Sequence, residues 1–335
     1  MKQLKRFVKM DKVANLSTED RKELFSETAR MMHTTNAIIE KDFWVVWTLD
    51  KIFSDERLSN ILMFKGGTSL SKVFDLIGRF SEDIDLILDW NLVSADNPND
   101  KRTKNKQDKY NKRVNESAKT YIKDSLLPII SEILAPFCSC EINEDDEHNI
   151  NINYPAAFDD QYLRPQILLE IGPLAAWLPS DTYEISSYAS EYFPQLFDKS
   201  KCSVNAIVAH RTFWEKATIL HQEVHRDESK PMPLRYSRHY YDLAIMAKSA
   251  VKDNAFEEIE LLEKVVEFKK KFYPVNWANY DTAKVGTLKL IPEDYRLEEL
   301  KKDYKAMEHM IFDKKLAFEE IIEILKKLEV EINNL

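Results

Sequence analysis

Glycine is scarce in this 335-residue chain, at five positions, and proline occupies only twelve. That excludes collagen-like repeats and glycine- or proline-rich low-complexity chains. Cysteine is scarcer still: Cys138, Cys140 and Cys202 are too few, and odd in number, for a disulfide framework. They suit a reducing compartment, and Cys138-x-Cys140 has no second Cys/His pair at a zinc-site spacing. No apolar run reaches the roughly 18 residues that a membrane span requires, and the N-terminal MKQLKRFVKMDKVANL lacks the continuous apolar centre of a signal peptide. The expectation is a cytoplasmic protein with no membrane partner. Positive charge is also in deficit: 48 Lys/Arg stand against 57 Asp/Glu, a formal charge of −9. This argues against indiscriminate coating of nucleic acid but allows a local basic groove. What is present is 44% hydrophobic and 31% charged residues, enough for about two domains with their own cores.

Residues 1 to about 56 read as helical, with Ser17-Thr18-Glu19-Asp20 as a helix start. The apolar run Ile61-Leu62-Met63-Phe64 then meets Lys65-Gly66-Gly67-Thr68-Ser69. Two of the five glycines stand together there, which predicts a tight turn where backbone must approach something. A short helix is expected from Leu70 to Ile77. Ser81 to Leu88 alternates as a strand does, residues 91–107 have loop composition, and 101–123 carry nine Lys/Arg. Ile150/Ile152 and Ile167-Leu168-Leu169-Glu170-Ile171 are further strand candidates. Beyond residue 204 the chain turns to helical stripes: Phe213/Ala217/Leu220/Val224, Leu261/Val265/Phe268/Phe272 and Ile321/Leu325/Leu328/Ile332, each a core face. The expected architecture is α+β, a mixed α/β lobe over 1–203 with a small mixed sheet flanked by helices, followed by a helical domain over 204–335.

The sharpest chemical signal is Asp83-Ile84-Asp85. Two residues apart on a strand, both carboxylates share one face roughly 6.5–7 Å apart along the chain, while Ile84, Leu86 and Leu88 face the core. Such a pair costs repulsion unless a cation neutralises it. A hard divalent ion such as Mg²⁺ or Mn²⁺ suits those oxygens; the bland alternative is carboxylates in water or paired with Lys/Arg. Gly66-Gly67-Thr68-Ser69, opening a helix, offers backbone N–H groups and two hydroxyls for a phosphate, although it is not a Walker A loop. Coupled to Asp-x-Asp, this turn has the layout of metal-assisted nucleotidyl transfer. Glu170 is an acid inside an apolar strand with nothing local to explain it. Lys216 adjoins the Phe213/Ala217/Leu220 stripe, so its stem can lie on the core and its ammonium emerge at the domain boundary. Asp242 follows Tyr240-Tyr241 in an apolar helix start. None of the seven histidines forms an HExxH or similar pair.

Lys65-Gly66-Gly67-Thr68-Ser69 followed by Arg79-Phe80-Ser81-Glu82-Asp83-Ile84-Asp85-Leu86 resembles the signature of the AbiEii/AbiGii toxin family, within the DNA polymerase β-like nucleotidyltransferase superfamily. The likeness extends to Glu40-Lys41-Asp42-Phe43-Trp44, Leu169-Glu170-Ile171, Arg211-Thr212-Phe213-Trp214-Glu215-Lys216, Arg238-His239-Tyr240-Tyr241-Asp242-Leu243 and Asp303-Tyr304-Lys305-Ala306-Met307, nearly the whole chain. It implies a nucleotidyltransferase lobe in which Asp83, Asp85 and Glu170 ligate the metal. Glu170 stands where many relatives have Asp. Lys216 would approach the triphosphate of an NTP, and Asp242 would serve as an active-site acid beside it. Lys65, Gly66, Gly67, Thr68, Ser69 and Arg238 would face the phosphates. The resemblance further implies a toxin of an abortive-infection or toxin–antitoxin pair, a cognate antitoxin, and tRNA as candidate acceptor, with the basic 101–123 segment meeting its phosphates. The competing readings are the same chemistry on a protein or small molecule, and a nucleotide-binding module without turnover.

Overall fold

The computed structural model describes residues 10–160 and 163–335; the helical expectation for residues 1–9 lies outside them. The described residues form two compact units, one of 10–73, 81–160 and 163–206, the other of 74–80 and 207–335. The short segment 74–80 thus belongs with the C-terminal part of the chain.

The first unit is built on one mixed sheet: β1 (Leu62–Lys65), β2 (Ile84–Leu88), β3 (Ser139–Ile142), β4 (Asn149–Asn153), β5 (Gln166–Gly172), β6 (Ser180–Ser186) and β7 (Lys201–Ile207), in the order β3-β4-β5-β2-β1-β7-β6. β1 and β2 are antiparallel, whereas β2–β5 and β1–β7 are parallel. Alternation decides which face is covered: Ile84, Leu86 and Leu88 of β2 and Ile167, Leu169 and Ile171 of β5 enter one hydrophobic cluster. Helices supply the rest of that cluster. Thr18–Met32 begins where the sequence suggests, its Ser17 Oγ accepting the Asp20 N–H at 3.1 Å. It ends at His33, which takes the left-handed conformation (φ 54°). Asn36–Ser54 contributes the fully buried Phe43, Trp44 and Trp47. The basic stretch forms a helix, Lys104–Tyr121, which starts inside the segment read as loop and buries Gln107, Tyr110, Asn111, Val114 and Ala118. The three thiols are free, and burial pushes Cys138 up to about 12 and Cys140 to about 11, so both stay protonated.

The second unit is helical. Its main helices are Ala209–Val224, Ser237–Ala247, Glu260–Phe272, Asp294–Met307 and Phe318–Asn333. Phe213/Ala217/Leu220, Leu261/Val265/Phe272 and Ile321/Leu325/Leu328/Ile332 are buried, as their spacing predicts, while Val224 and Phe268 of the same stripes are half-buried. The 74–80 segment is held by backbone bonds: Phe80 N–H donates to Met310 O (2.8 Å), and Phe312 and Asp313 N–H donate to Gly78 O (both 3.1 Å). Among the described residues no helix is long and apolar enough to cross a membrane.

One buried group gives this unit a pH dependence. His221 Nδ1 accepts the Lys289 N–H (3.0 Å) and Nε2 lies 3.2 Å from the Asn279 carbonyl, so a neutral ring protonated at Nε2 satisfies both. Burial pushes its pKa down to about 4. The unfolded chain takes up this proton below about 6.5, while the folded chain resists it. Stability from His221 is therefore intact above 6.5 and is lost as pH falls toward 4, by up to about 3 kcal/mol. Melting curves from pH 7 to 4.5 should fall more steeply for the natural chain than for His221→Gln; parallel curves would disprove the assignment.

Candidate active site

In the first unit the sheet register gathers the acidic residues. Asp85 on β2 pairs with Lys65 on β1 and with Glu170 on β5, and Glu170 pairs in turn with Asn149 on β4. Register partners share a face, so Lys65, Asp85, Glu170 and Asn149 form a row across four strands, at about 4.8 Å per strand. Asp85 and Glu170 are half-buried between inward-facing apolar neighbours. Asp83 lies two residues before Asp85, just ahead of the strand. It is tied to the glycine turn through its backbone, since the Thr68 hydroxyl donates to the Asp83 carbonyl.

The turn differs from its expected form. The helix begins at Gly66 itself and ends at Lys72, rather than running from Leu70 to Ile77. Glycine's poor helix propensity makes a later start the natural reading, but packing decides otherwise. Gly66 has φ +85°, and a Cβ there would overlap Oδ2 of Asp85 and lie 2.6 Å from its Cγ. Only glycine lets this backbone close on that carboxylate. The Ser69 hydroxyl, buried, donates to Gly66 O at 2.8 Å, so Thr68 and Ser69 both brace the turn. Gly66→Ala should therefore displace Asp85 and lower nucleotidyl transfer by about 100-fold, with a stability loss of about 1–3 kcal/mol. Kinetics and a thermal melt check this, and transfer within threefold of the natural chain would rule it out.

Asp85 and Glu170 stand side by side in register with Asn149 next to them, oxygen donors of the type a hard divalent ion such as Mg²⁺ or Mn²⁺ takes, and the space left by Gly66 keeps Asp85 close to the turn. Among the described residues no three His, Cys, Asp or Glu side chains are drawn tightly enough together to hold one outright.

The second unit contains a separate charged cluster. Asp242, fully buried in the middle of Ser237–Ala247, accepts from Arg79 Nε (2.7 Å) and Nη2 (2.8 Å) and from Lys216 Nζ (2.9 Å). Burial raises its carboxyl, but the Arg79 guanidinium and Lys216 ammonium outweigh that and hold it well below the usual carboxylate range. Lys216 also lies 3.1 Å from His239 Nδ1. Burial pushes the Lys216 ammonium below its ordinary value, Asp242 opposing and Arg79 and Arg238 adding to it. His239 is held neutral by burial and by Lys216, which fits Nδ1 as acceptor. Lys216 thus pairs inside the unit with Asp242, while Glu215, its neighbour in sequence, accepts from Arg211 one helical turn away at 3.2 Å. Sequence reasoning gave no role to Arg79, although the residue stands in the Arg79-Phe80-Ser81-Glu82-Asp83 motif. The signal in the sequence is a charged residue between Gly78 and Phe80, two places after Ile77.

Comparison with known proteins adds the following. A family model described as nucleotidyl transferase AbiEii toxin, type IV TA system, matches residues 47–324. A search of curated proteins finds no match. Among solved structures, MenT4, a nucleotidyltransferase toxin from Mycobacterium tuberculosis H37Rv, is similar over 92% of this chain and 97% of its own, at 14% identity and a TM-score of 0.41.

Proposed function

Because the chain belongs to the AbiEii family of nucleotidyltransferase toxins, members of type IV toxin–antitoxin systems, we propose that it transfers a nucleoside monophosphate from an NTP to a hydroxyl of RNA, tRNA being the first candidate. Membership itself implies an NTP substrate and a cognate antitoxin. The observation that carries the site assignment is the register placing Asp85 opposite Glu170, with Gly66 closed against Asp85.

Asp83, Asp85 and Glu170 would hold Mg²⁺ or Mn²⁺. When bound, the ion neutralises triphosphate charge and acidifies the attacking hydroxyl. The protein's own groups position the reactants. The backbone N–H groups of Gly66 and Gly67 and the Lys65 ammonium, next to Asp85 in register, offer donors to the phosphates. Thr68 and Ser69 hold that turn in shape. The acceptor oxygen attacks the α-phosphorus, the bond to the bridging oxygen breaks and pyrophosphate leaves, with Glu170 either completing the ion's donor set or receiving the acceptor's proton. In the second unit the Lys216 ammonium is taken up by Asp242, so Arg238 is that unit's candidate phosphate contact and Lys216 supports the fold around it. The RNA acceptor is supported by the Lys104–Tyr121 helix, whose polar and apolar contacts are buried on one side while lysines such as Lys104, Lys106 and Lys109 are exposed.

The test is incubation of the full chain with each α-³²P-labelled NTP, Mg²⁺ and separated pools of cellular RNA and protein. Label on RNA, lost with Asp83→Asn, supports the proposal. Label on protein alone overturns the RNA acceptor and keeps the chemistry.

A further inference from the structure

Helix Asn36–Ser54 fills the first unit's core with Phe43, Trp44, Val46 and Trp47, yet carries three consecutive ionisable residues: Glu40 at 1% exposure, which accepts the Ala157 and Phe158 N–H groups, and then the two opposite charges Lys41 and Asp42 at 2% and 1%. Burying a charge is costly unless it is paired, and even a buried pair adds little net stability compared with apolar packing. Both are paired, and their partners are informative. Lys41 Nζ lies 2.6 Å from Glu82 Oε2, and Glu82 directly precedes Asp83. Asp42 Oδ1 lies 2.5 Å from Lys72 Nζ, and Lys72 is the last residue of the helix that Gly66 opens. Asp42 Oδ2 accepts the Tyr188 N–H at 2.7 Å, and the Lys72 ammonium sits 3.4 Å from the centroid of the Tyr188 ring. Adjacent residues of one rigid helix thus grip the two arms that meet where Gly66 closes on Asp85. The space there is too tight for a Cβ, so the relative placement of the arms must be fixed closely.

We propose that Lys41 and Asp42 are positioning residues for nucleotidyl transfer, Lys41 fixing the carboxylate strand through Glu82 and Asp42 fixing the glycine turn through Lys72. The inference rests on the reading of Asp83 and Asp85 as the reaction centre. Neither residue touches the reactants; each sets a geometry in which a displacement of about 1 Å costs about 100-fold in rate.

The test combines backbone hydrogen exchange with transfer of α-³²P label, summed over the RNA, protein and small molecules of a cell extract, on the full chain. Lys41→Met is expected to speed exchange over residues 82–88 about tenfold and leave 66–72 unchanged, and Asp42→Asn to do the reverse. Each should lower kcat by about 30- to 100-fold with KM for the NTP within about threefold, and Lys41→Arg should keep kcat within about fivefold of the natural chain. Glu82→Gln, which keeps the side chain's shape, carries the same readouts should Lys41→Met fail to fold. Exchange that rises alike throughout the unit with kcat unchanged would reduce the pairs to ordinary core support and overturn the proposal. A change confined to KM would overturn it too, making these residues part of substrate binding. If Asp83→Asn and Asp85→Asn transfer label normally, it is the reaction centre that has been misplaced, whatever the exchange pattern.

Discussion

Asp83→Asn and Asp85→Asn should each lower nucleotidyl transfer by about 1,000-fold or more, about 4 kcal/mol of barrier, without lowering the melting temperature of the ion-free protein. The two halves of this expectation have one origin. Asp85 stands between Lys65 and Glu170 in register, with Asp83 two residues ahead. Replacing Asp85 by an isosteric amide removes its repulsion with Glu170 together with its attraction to Lys65, two terms that offset, so the ion-free fold keeps about its stability. The same change removes a hard anionic donor from the set that would bind Mg²⁺ or Mn²⁺. Adding either ion should therefore raise the melting temperature of the natural chain, and EDTA should reverse it, while the Asp83→Asn/Asp85→Asn pair should respond to neither. Glu170→Gln should fall between, losing a donor but keeping both aspartates. Full transfer by either aspartate variant would refute the assignment.

The second large effect is on stability. Asp242→Asn leaves the Arg79 guanidinium and the Lys216 ammonium buried together without the carboxylate that both now contact. Stranding a buried charge costs about 3–5 kcal/mol, and two cations are stranded here. For a unit of this size that is a fall of about 10 °C or more in melting temperature. Arg79→Lys should cost less, because Lys216 stays paired and one of the two guanidinium contacts survives; it cannot cost nothing, since a point charge cannot reproduce the two-bond fork from Nε and Nη2. Melting within 2 °C of the natural chain for Asp242→Asn would show that the cluster is solvated rather than buried.

The elements that were legible in the sequence are those whose pattern is local. Asp83 and Asp85 against Ile84, Leu86 and Leu88 is a period of two within six residues, and the structure places those three apolar side chains in the core. Ser17 capping its helix, and the apolar stripes beyond residue 204, are equally local. Glu170 was legible as an anomaly, an acid among Ile167, Leu168, Leu169 and Ile171. What sequence cannot supply is registration between distant segments: nothing near Asp85 specifies that Glu170 rather than Gln166 or Leu168 stands opposite it. The Arg79–Asp242 contact, 163 residues apart, is invisible for the same reason. Strands β3, β6 and β7 have no counterpart in the sequence reading. β3 and β6 are largely polar and half-exposed, and β7 crosses the change of texture at residue 204 that looks like a boundary.

The assignment of residues 74–80 to the C-terminal unit has a consequence in time. Arg79 leaves the ribosome 163 residues before the carboxylate that will hold it, an interval of about 8 to 33 s at usual rates of synthesis. Even at the end of that interval the link between the glycine turn and the Asp83 strand still lacks its later partners, Met310, Phe312, Asp313 and Lys314. A newly made chain therefore cannot complete this loop until translation has passed residue 314. Premature termination anywhere upstream leaves the connection between β1 and β2 unanchored.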